Sequence, residues 1–178
     1  MQWSNSYDLL FNACNSVKKA GAEAIVFCAH TPHMIADKLE REIGLPVIDL
    51  VSATADAVLK QNVNTVGLLG TSFTMEMDFF KEKLKNRGIT SLIRDSQETR
   101  NFIQKTLKDE LGKGIFSAET KQAYISIIHS LIEAGAQGII FGCTEIPMLL
   151  SQQDVSVAVF DTTKIHAQAA VNFALSKI

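Results

Sequence analysis

Residues 134–144, AGAQGIIFGCT, join a helix end, a tight turn and a strongly apolar strand in one continuous run. Residues 20–30, AGAEAIVFCAH, repeat this order without a gap, and keep Ala-Gly-Ala and the same isoleucine and phenylalanine of the strand. Short strands that are apolar throughout are typical of parallel sheets covered on both faces. The repeat therefore predicts two related α/β lobes, each of which ends a strand at an equivalent point.

Strand and helix patterns alternate along the chain, which indicates an α/β fold with parallel sheets flanked by helices. The first lobe is assigned to residues 1–62 plus 164–178, and the second lobe to residues 63–163. Helices are predicted near 6–21, 31–42, 51–62, 75–87, 97–110, 117–134, 145–150 and 162–177. Strands are predicted at 24–28, 45–50, 65–70, 137–142 and 157–160, with a weaker strand at 90–94.

The composition narrows the class of protein. The chain has 178 residues, of which 47% are hydrophobic, so it can bury a sizeable core. Its formal net charge of −2 argues against nucleic acid or an anionic membrane as the main partner. No stretch of sequence is long and apolar enough to span a bilayer, and the 3 cysteines suit free thiols in a reducing compartment. We therefore expect a cytoplasmic protein.

Polar residues follow four of the predicted strands at their carboxyl ends, where ligands bind in open α/β sheets. Each of these strand ends offers backbone N–H groups and a hydroxyl beside the positive end of a helix, which suits a carboxylate or phosphate. Ordinary helix capping explains any single strand end, but four together favour a shared anion-binding crevice. The residues concerned are Thr31, Thr71, Ser72, Thr74, Thr144, Glu145, Asp161, Thr162 and Thr163.

Cys143 lies just past a predicted strand, at the start of a helix. A thiol at a helix N-terminus is expected to have a lowered pKa, and its thiolate is the form that acts as a base or nucleophile. The alternative is a structural cysteine in the core, which is the role we assign to Cys14 on the apolar side of the first helix. His166, one turn into the last helix, could also reach the crevice, although a satisfied surface or core histidine explains it equally well.

The run CAHTPH at residues 28–33 raises the question of a metal site. Cys28, His30 and His33 are all possible zinc ligands, and Cys143 could provide a fourth. Against zinc, Cys28 belongs to a predicted buried strand, and the helix that follows turns His33 away from that strand. The spacing matches no common structural zinc pattern, so we expect no metal.

Together these segments resemble the aspartate/glutamate racemase family of cofactor-independent amino-acid racemases. GAQGIIFGCTEIPMLL resembles the second cysteine motif of that family, and TVGLLGTSFTMEMDFF, DTTKIHA and AHTPHMIADKLE match its other landmarks. The resemblance implies two pseudo-symmetric lobes that enclose an amino acid. It further implies two cysteines on opposite faces of Cα, which act in turn as base and acid without pyridoxal phosphate or any other cofactor.

The resemblance also assigns roles to residues. Inversion at Cα needs one group that removes a proton and another that returns one from the opposite face. The resemblance implies that hydroxyls and backbone N–H groups hold the substrate carboxylate, which eases loss of the Cα proton. The candidate proton carriers are Cys143, Cys28 and His30. The candidate substrate-binding residues are Thr31, Thr71, Ser72, Thr74, Thr144, Glu145 and His166.

The chain departs from the family pattern in two ways. The first cysteine position of the family is Ala29 here, which carries no proton, and the usual asparagine is His30. The internal repeat likewise aligns Ala29 with Cys143, so the two should face each other, with Cys28 pointing into the core of its own lobe. Family members also begin with a strand and a glycine-rich turn, whereas this chain begins at the following helix. We therefore expect the first lobe to lack its first strand.

The predicted function is racemisation or epimerisation at Cα of a small, acidic amino acid such as aspartate or glutamate. One alternative is a one-cysteine relative that acts as a decarboxylase or cis–trans isomerase on a small dicarboxylate. Another alternative is a pseudoenzyme that binds such ligands without turnover. The expected partners are the small-molecule amino acid or dicarboxylate and a second copy of the chain in a homodimer, without nucleic acid or membrane.

Overall fold

The computed structural model of the protein describes residues 3–176, in which helices and strands alternate. No helix in this range is long and apolar enough to cross a bilayer. The strands are β1 (Thr65–Gly70), β2 (Thr90–Leu92), β3 (Gly138–Gly142) and β4 (Ala158–Asp161). The helices are α1 (Trp3–Lys19), α2 (Ala36–Ile43), α3 (Leu50–Lys60), α4 (Ser72–Glu76), α5 (Asp78–Asn86), α6 (Gln97–Asp109), α7 (Ala118–Glu133), α8 (Ile146–Leu149) and α9 (Thr162–Leu175). Short 3₁₀ helices span Thr31–Ile35, Leu111–Lys113 and Gln152–Asp154.

The strands form a four-stranded parallel sheet in the order β2-β1-β3-β4. Alternate side chains of its two central strands point to opposite faces of the sheet. Leu69 and Phe141 pack in one core cluster with residues of α6 and α7, whereas Leu68 and Ile140 pack in another with residues of α3 and α5. Both faces of the sheet are therefore covered, as the fully apolar strands predicted, and the α/β fold with a parallel sheet is confirmed.

The segment around residues 24–28 does not form the regular strand that its sequence predicts. It makes a single parallel bridge, between Ile25 and Val47, so the strand predicted at 45–50 is likewise reduced to one bridge. Ile25 and Phe27 are buried in a third core cluster, whereas Cys28 is exposed. Two backbone hydrogen bonds, from Ile25 to Pro46 and from Ile48 to Ile25, make up this bridge. Within residues 3–176 the pairing extends no further, and one bridge is too short a ladder for a strand.

Helix α3 belongs to the first lobe in the predicted division of the chain, but it packs against strands of the second lobe. α3 lies before the predicted boundary at residue 62, yet Val51 and Val58 pack in the core cluster that contains β1 and β3. α9 in turn packs against α3. The assignment of residues to two lobes stays a prediction, and residues 1–2 and 177–178 of the predicted first lobe lie outside the described residues.

Close packing at the carboxyl end of the sheet is open to a direct test. A Cβ atom on Gly70 would lie 2.7 Å from the carbonyl oxygen of Gly142 and 3.0 Å from Cβ of Thr74. We therefore expect Gly70→Ala to lower the free energy of unfolding by about 1–3 kcal/mol, measured by urea denaturation. Thr65→Ala, at the half-buried start of the same strand, is the control and should cost less than about 1 kcal/mol. Equal losses in the two variants would contradict a close approach at Gly70.

Candidate active site

A cavity of about 240 Å³ opens at the carboxyl ends of β1 and β3. Because these two strands are parallel neighbours, the loops that follow them lie side by side and form part of the cavity wall. Ala29 and Cys143 both line it, and that their side chains face each other, as the internal repeat predicts, stays a prediction. The predicted site residues that the structure brings together here are His30, Thr31, Thr71, Thr74, Cys143, Thr144 and Glu145.

Two predicted site residues, Cys28 and His166, line a neighbouring cavity of about 170 Å³ instead. The prediction that Cys28 points into the core is wrong, because strand alternation turns Cys28 outward when Phe27 faces inward. Nε2 of His166 donates a hydrogen bond to the carbonyl oxygen of Ile48 at 2.7 Å. His166 therefore takes the role of a satisfied buried histidine and does not line the cavity of Cys143.

The third predicted site residue outside the cavity is Ser72, at the start of α4. Its backbone N–H donates to Oε1 of Gln104 on α6 at 2.8 Å, so this amide is not free to hold a substrate carboxylate. At the end of β4, Asp161 accepts from the backbone N–H groups of Thr163 and Lys164 at 3.0 and 3.2 Å. That strand end is an ordinary helix cap, so the expectation of four open anion-binding strand ends is too broad.

Cys143 holds its proton more tightly than its position at a helix start predicted. Its Sγ donates a hydrogen bond to Oε2 of Glu145 at 2.8 Å. Burial, together with this hydrogen bond and the charge of Glu145, raises the pKa of the Cys143 thiol to about 12. The prediction of a lowered pKa is therefore wrong. The backbone amides of Thr144 and Glu145 do favour the thiolate, but burial and the adjacent carboxylate outweigh them.

Glu145 remains the charged partner in this pair. Burial favours its neutral form, but hydrogen bonds from Cys143 and Thr144 outweigh that effect and lower the pKa of Glu145. The pair at neutral pH is therefore a carboxylate that accepts a hydrogen bond from a protonated thiol.

His30 is buried, and its hydrogen bonds determine which ring nitrogen carries the proton. Nε2 lies 2.7 Å from Oγ1 of Thr162, and that hydroxyl donates to the carbonyl oxygen of Phe141 at 2.6 Å. Because a carbonyl oxygen only accepts, the single hydroxyl hydrogen of Thr162 is already used, and Nε2 of His30 must donate to Thr162. Nδ1 of the neutral ring therefore carries an unshared electron pair.

The ionisation of His30 agrees with a neutral ring. Burial is the largest effect, and the neighbouring His33 and His166 add to it, so the pKa of His30 falls to about 4. At neutral pH the cavity thus contains a neutral base, His30, and a neutral acid, Cys143.

A charged network holds the turn that carries His30. Asp49 begins α3 and accepts from Nδ1 of His33 at 3.3 Å, from Ser52 at 2.7 Å and from Nζ of Lys83 on α5 at 2.9 Å. Burial opposes ionisation of Asp49, but these hydrogen bonds prevail and hold its pKa well below the ordinary value. The network ties the 3₁₀ helix after His30 to α3 and α5.

Sequence reasoning missed the contribution of α6. Gln104, Leu107 and Lys108 line the cavity of Cys143, and their i, i+3, i+4 spacing places them on one face of the helix. The spacing is visible in the sequence, but only the packing of α6 shows that this face looks onto the cavity. Among residues 3–176, no group of three or more His, Cys, Asp or Glu side chains is arranged to hold a metal ion.

The fold and the site together define an α/β protein with a protonated thiol at the carboxyl end of a central parallel strand. The family model for Asp/Glu/hydantoin racemases matches residues 1–170. The chain belongs to this family.

Solved structures of related proteins agree with this assignment. A candidate Asp/Glu racemase from Yersinia pestis is 44% identical, with a TM-score of 0.92 over 97% of this chain and 75% of that one. An aspartate racemase homologue from Pyrococcus horikoshii OT3 is 34% identical, with a TM-score of 0.88 over 97% of this chain and 76% of that one. Arylmalonate decarboxylase, at 14% identity and a TM-score of 0.60 over 98% of this chain and 77% of that one, shares the fold.

Among curated proteins, glutamate racemase from Deinococcus radiodurans is 27% identical over 143 residues, which are 80% of this chain and 48% of that protein. Glutamate racemase from Pseudomonas putida is 26% identical over 80% of this chain and 54% of that protein. The chain thus spans about half the length of these two relatives.

The protonated state of Cys143 predicts an order of thiol labelling. Iodoacetamide at pH 8 should modify the exposed Cys28 first and Cys143 only slowly. Glu145→Gln removes the charge that opposes the thiolate, so it should lower the pKa of Cys143. If the pKa of the Cys143 thiol falls by about one, the thiolate fraction rises about tenfold and labelling is faster by the same factor. Peptide mass spectrometry can follow the labelling of each cysteine. Glu133→Gln, at an exposed carboxylate, is the control. Labelling of Cys143 before Cys28 would contradict the raised pKa.

The lowered pKa of His30 predicts a pH dependence of stability. An ordinary histidine pKa of 6.5 falls to about 4 on folding, so the unfolded chain binds more protons between these values. The free energy of unfolding should therefore fall as the pH falls from about 6.5 to about 4. His30→Asn should reduce this slope in denaturation measured across that range.

Two further variants separate the contribution of His30 from the background. His166→Asn should reduce the slope as well, because burial also lowers the pKa of His166. His129→Asn, at an exposed position on α7, should not reduce the slope. An unchanged slope in His30→Asn would show that His30 is not kept neutral by burial.

Proposed function

We propose that the protein moves the Cα proton of a small acidic amino acid, aspartate or glutamate, and thereby interconverts its enantiomers. The observation that carries the proposal is that Cys143 in its acidic form and His30 in its basic form line one cavity. Membership of the racemase family supports the reaction class. The proposal includes a homodimer and a cytoplasmic location, for which size-exclusion chromatography and cell fractionation are the direct measurements.

The substrate carboxylate has suitable hydrogen-bond donors in the loops after β1 and β3. The hydroxyls of Thr71 and Thr74 share one hydrogen bond at 3.3 Å, which leaves the hydrogen of the other hydroxyl for the substrate, and Thr144 lines the same cavity. Donors of this kind withdraw charge from the carboxylate and stabilise the carbanion that forms when the Cα proton leaves. The proposed reaction uses no cofactor.

Inversion then takes two proton transfers on opposite faces of Cα. Nδ1 of His30 accepts the Cα proton and becomes an imidazolium, while the C–H electron pair stays on Cα. Cys143 delivers its S–H proton to the other face and becomes a thiolate beside Glu145. Exchange of protons with solvent restores both groups. Because burial makes His30 a weak base, its contribution should lie near the lower end of the usual 10²–10⁴-fold, roughly, for one placed group.

Because Ala29 stands where a second thiol would be expected, a second candidate function is decarboxylation of a small dicarboxylate. A cavity that carries one thiol can deliver one proton, and decarboxylation requires no more than that. The C–C bond to a carboxylate breaks, carbon dioxide leaves, and the S–H proton of Cys143 neutralises the remaining carbanion. A pseudoenzyme would bind such ligands and perform neither reaction.

Deuterium exchange tests the proposal directly. L-aspartate and L-glutamate incubated with the protein in D₂O should lose the Cα–H signal in proton NMR, and chiral chromatography should detect the D-enantiomer. Cys143→Ser should slow formation of the D-enantiomer by about 10²-fold or more, since a hydroxyl is a far weaker acid than a thiol. Cys28→Ser should retain activity, because Cys28 lines the other cavity.

The outcomes separate the alternatives. Exchange without inversion would mean that one group acts on one face only, and Ala29→Cys should then restore inversion by adding a second thiol. Release of carbon dioxide from a malonate derivative would support the decarboxylase. A protein that binds these ligands saturably, but neither exchanges the Cα proton nor releases carbon dioxide, would be a pseudoenzyme.

A further inference from the structure

Lys108 provides the positive charge in the wall of the Cys143 cavity. Of the residues that line this cavity in the described part of the chain, only Lys108 and Glu145 carry a formal charge at neutral pH. Glu145 already accepts the hydrogen bond of Cys143. The cavity therefore presents opposite charges from α6 and from the loop after β3.

Among residues 3–176, no acidic side chain forms an ion pair with the ammonium group of Lys108. Its helical neighbours three and four positions away are neutral or basic, so an i,i+4 ion pair is excluded. The two acids that follow Lys108 are both engaged: Asp109 pairs with Nζ of Lys113 at 3.8 Å, and Glu110 accepts from the hydroxyl of Thr120. A cation in a cavity wall without an internal partner is suited to an anionic group of a ligand.

The face of α6 that carries Lys108 is held in place by the protein itself. One turn earlier, Oε1 of Gln104 accepts the backbone N–H of Ser72 at the start of α4. Between them in the sequence, Leu107 is buried in the core cluster that contains β3. These two anchors hold the backbone of α6 at Lys108 beside the cavity without using the charge of Lys108.

We propose that Lys108 is a specificity-determining residue that selects a substrate with a second carboxylate. The threonine hydroxyls bind the α-carboxylate, and the ammonium of Lys108 binds the carboxylate of the substrate side chain. The negative charge of Glu145 complements the α-ammonium group. This assignment rests on the proposed function, because it concerns the ligand of the same cavity.

Amide analogues test the assignment, because they keep the size of the substrate and remove the side-chain charge. Isothermal titration with L-aspartate, L-asparagine, L-glutamate and L-glutamine gives the acid-over-amide preference of each variant. Because Lys108 is exposed, Lys108→Gln should reduce that preference by about two- to fivefold, the range expected for an exposed ion pair, and should leave amide binding unchanged. Lys105→Gln removes the same charge from an exposed position on α6 outside the cavity, so its preference should match that of the wild type.

Each outcome decides between the possibilities. An equal loss of acid and amide binding in Lys108→Gln would show that Lys108 holds the α-carboxylate, which overturns the assignment. Unchanged preference in Lys108→Gln, with Cα exchange intact, would overturn the assignment and leave the proposed function standing. A wild-type protein that binds none of the four ligands and exchanges no Cα proton would remove both.

Discussion

The parallel pairing of β1 with β3 is the constraint on which the site depends. The two strands run in register to Gly70 and Gly142, where neither residue has a Cβ atom, and the backbones and Thr74 come into close contact. Both chains therefore leave the sheet at the same level, and their loops form one cavity wall. A side chain larger than hydrogen at either glycine would separate the loops that carry the threonine hydroxyls and Cys143.

Burial then determines the protonation states in the cavity. A charged group loses hydration when it is buried, so each ionisable group favours its neutral form unless a partner compensates. Cys143 has a carboxylate as its neighbour and stays a thiol, and His30 is enclosed and stays a neutral base. Asp49 shows the opposite case, because three donors compensate its burial and keep it charged. The cavity thus combines a neutral acid with a neutral base, and the charged groups beside it hold the surrounding turns.

Local sequence patterns were sufficient for most of the secondary structure and part of the site. The apolar runs of β1 and β3 have the composition of strands covered on both faces, and Cys143 follows such a run directly, so its position at a strand end was predictable. The same reasoning failed for residues 24–28, whose composition is equally strand-like. Whether an apolar run becomes a regular strand depends on neighbours that pair with it, and the run itself does not specify those neighbours.

The sequence by itself determined the α/β class, the internal repeat and the placement of Cys143 and the threonines after strands, because these follow from periodicity and from the direction of parallel strands. Only the tertiary structure decided the protonation states and the full wall of the cavity. The pKa of Cys143 depends on burial and on the distance to Glu145, and Lys108 reaches the cavity only because α6 packs beside β1 and α4. Both are consequences of three-dimensional packing, which brings together residues that are far apart in the chain.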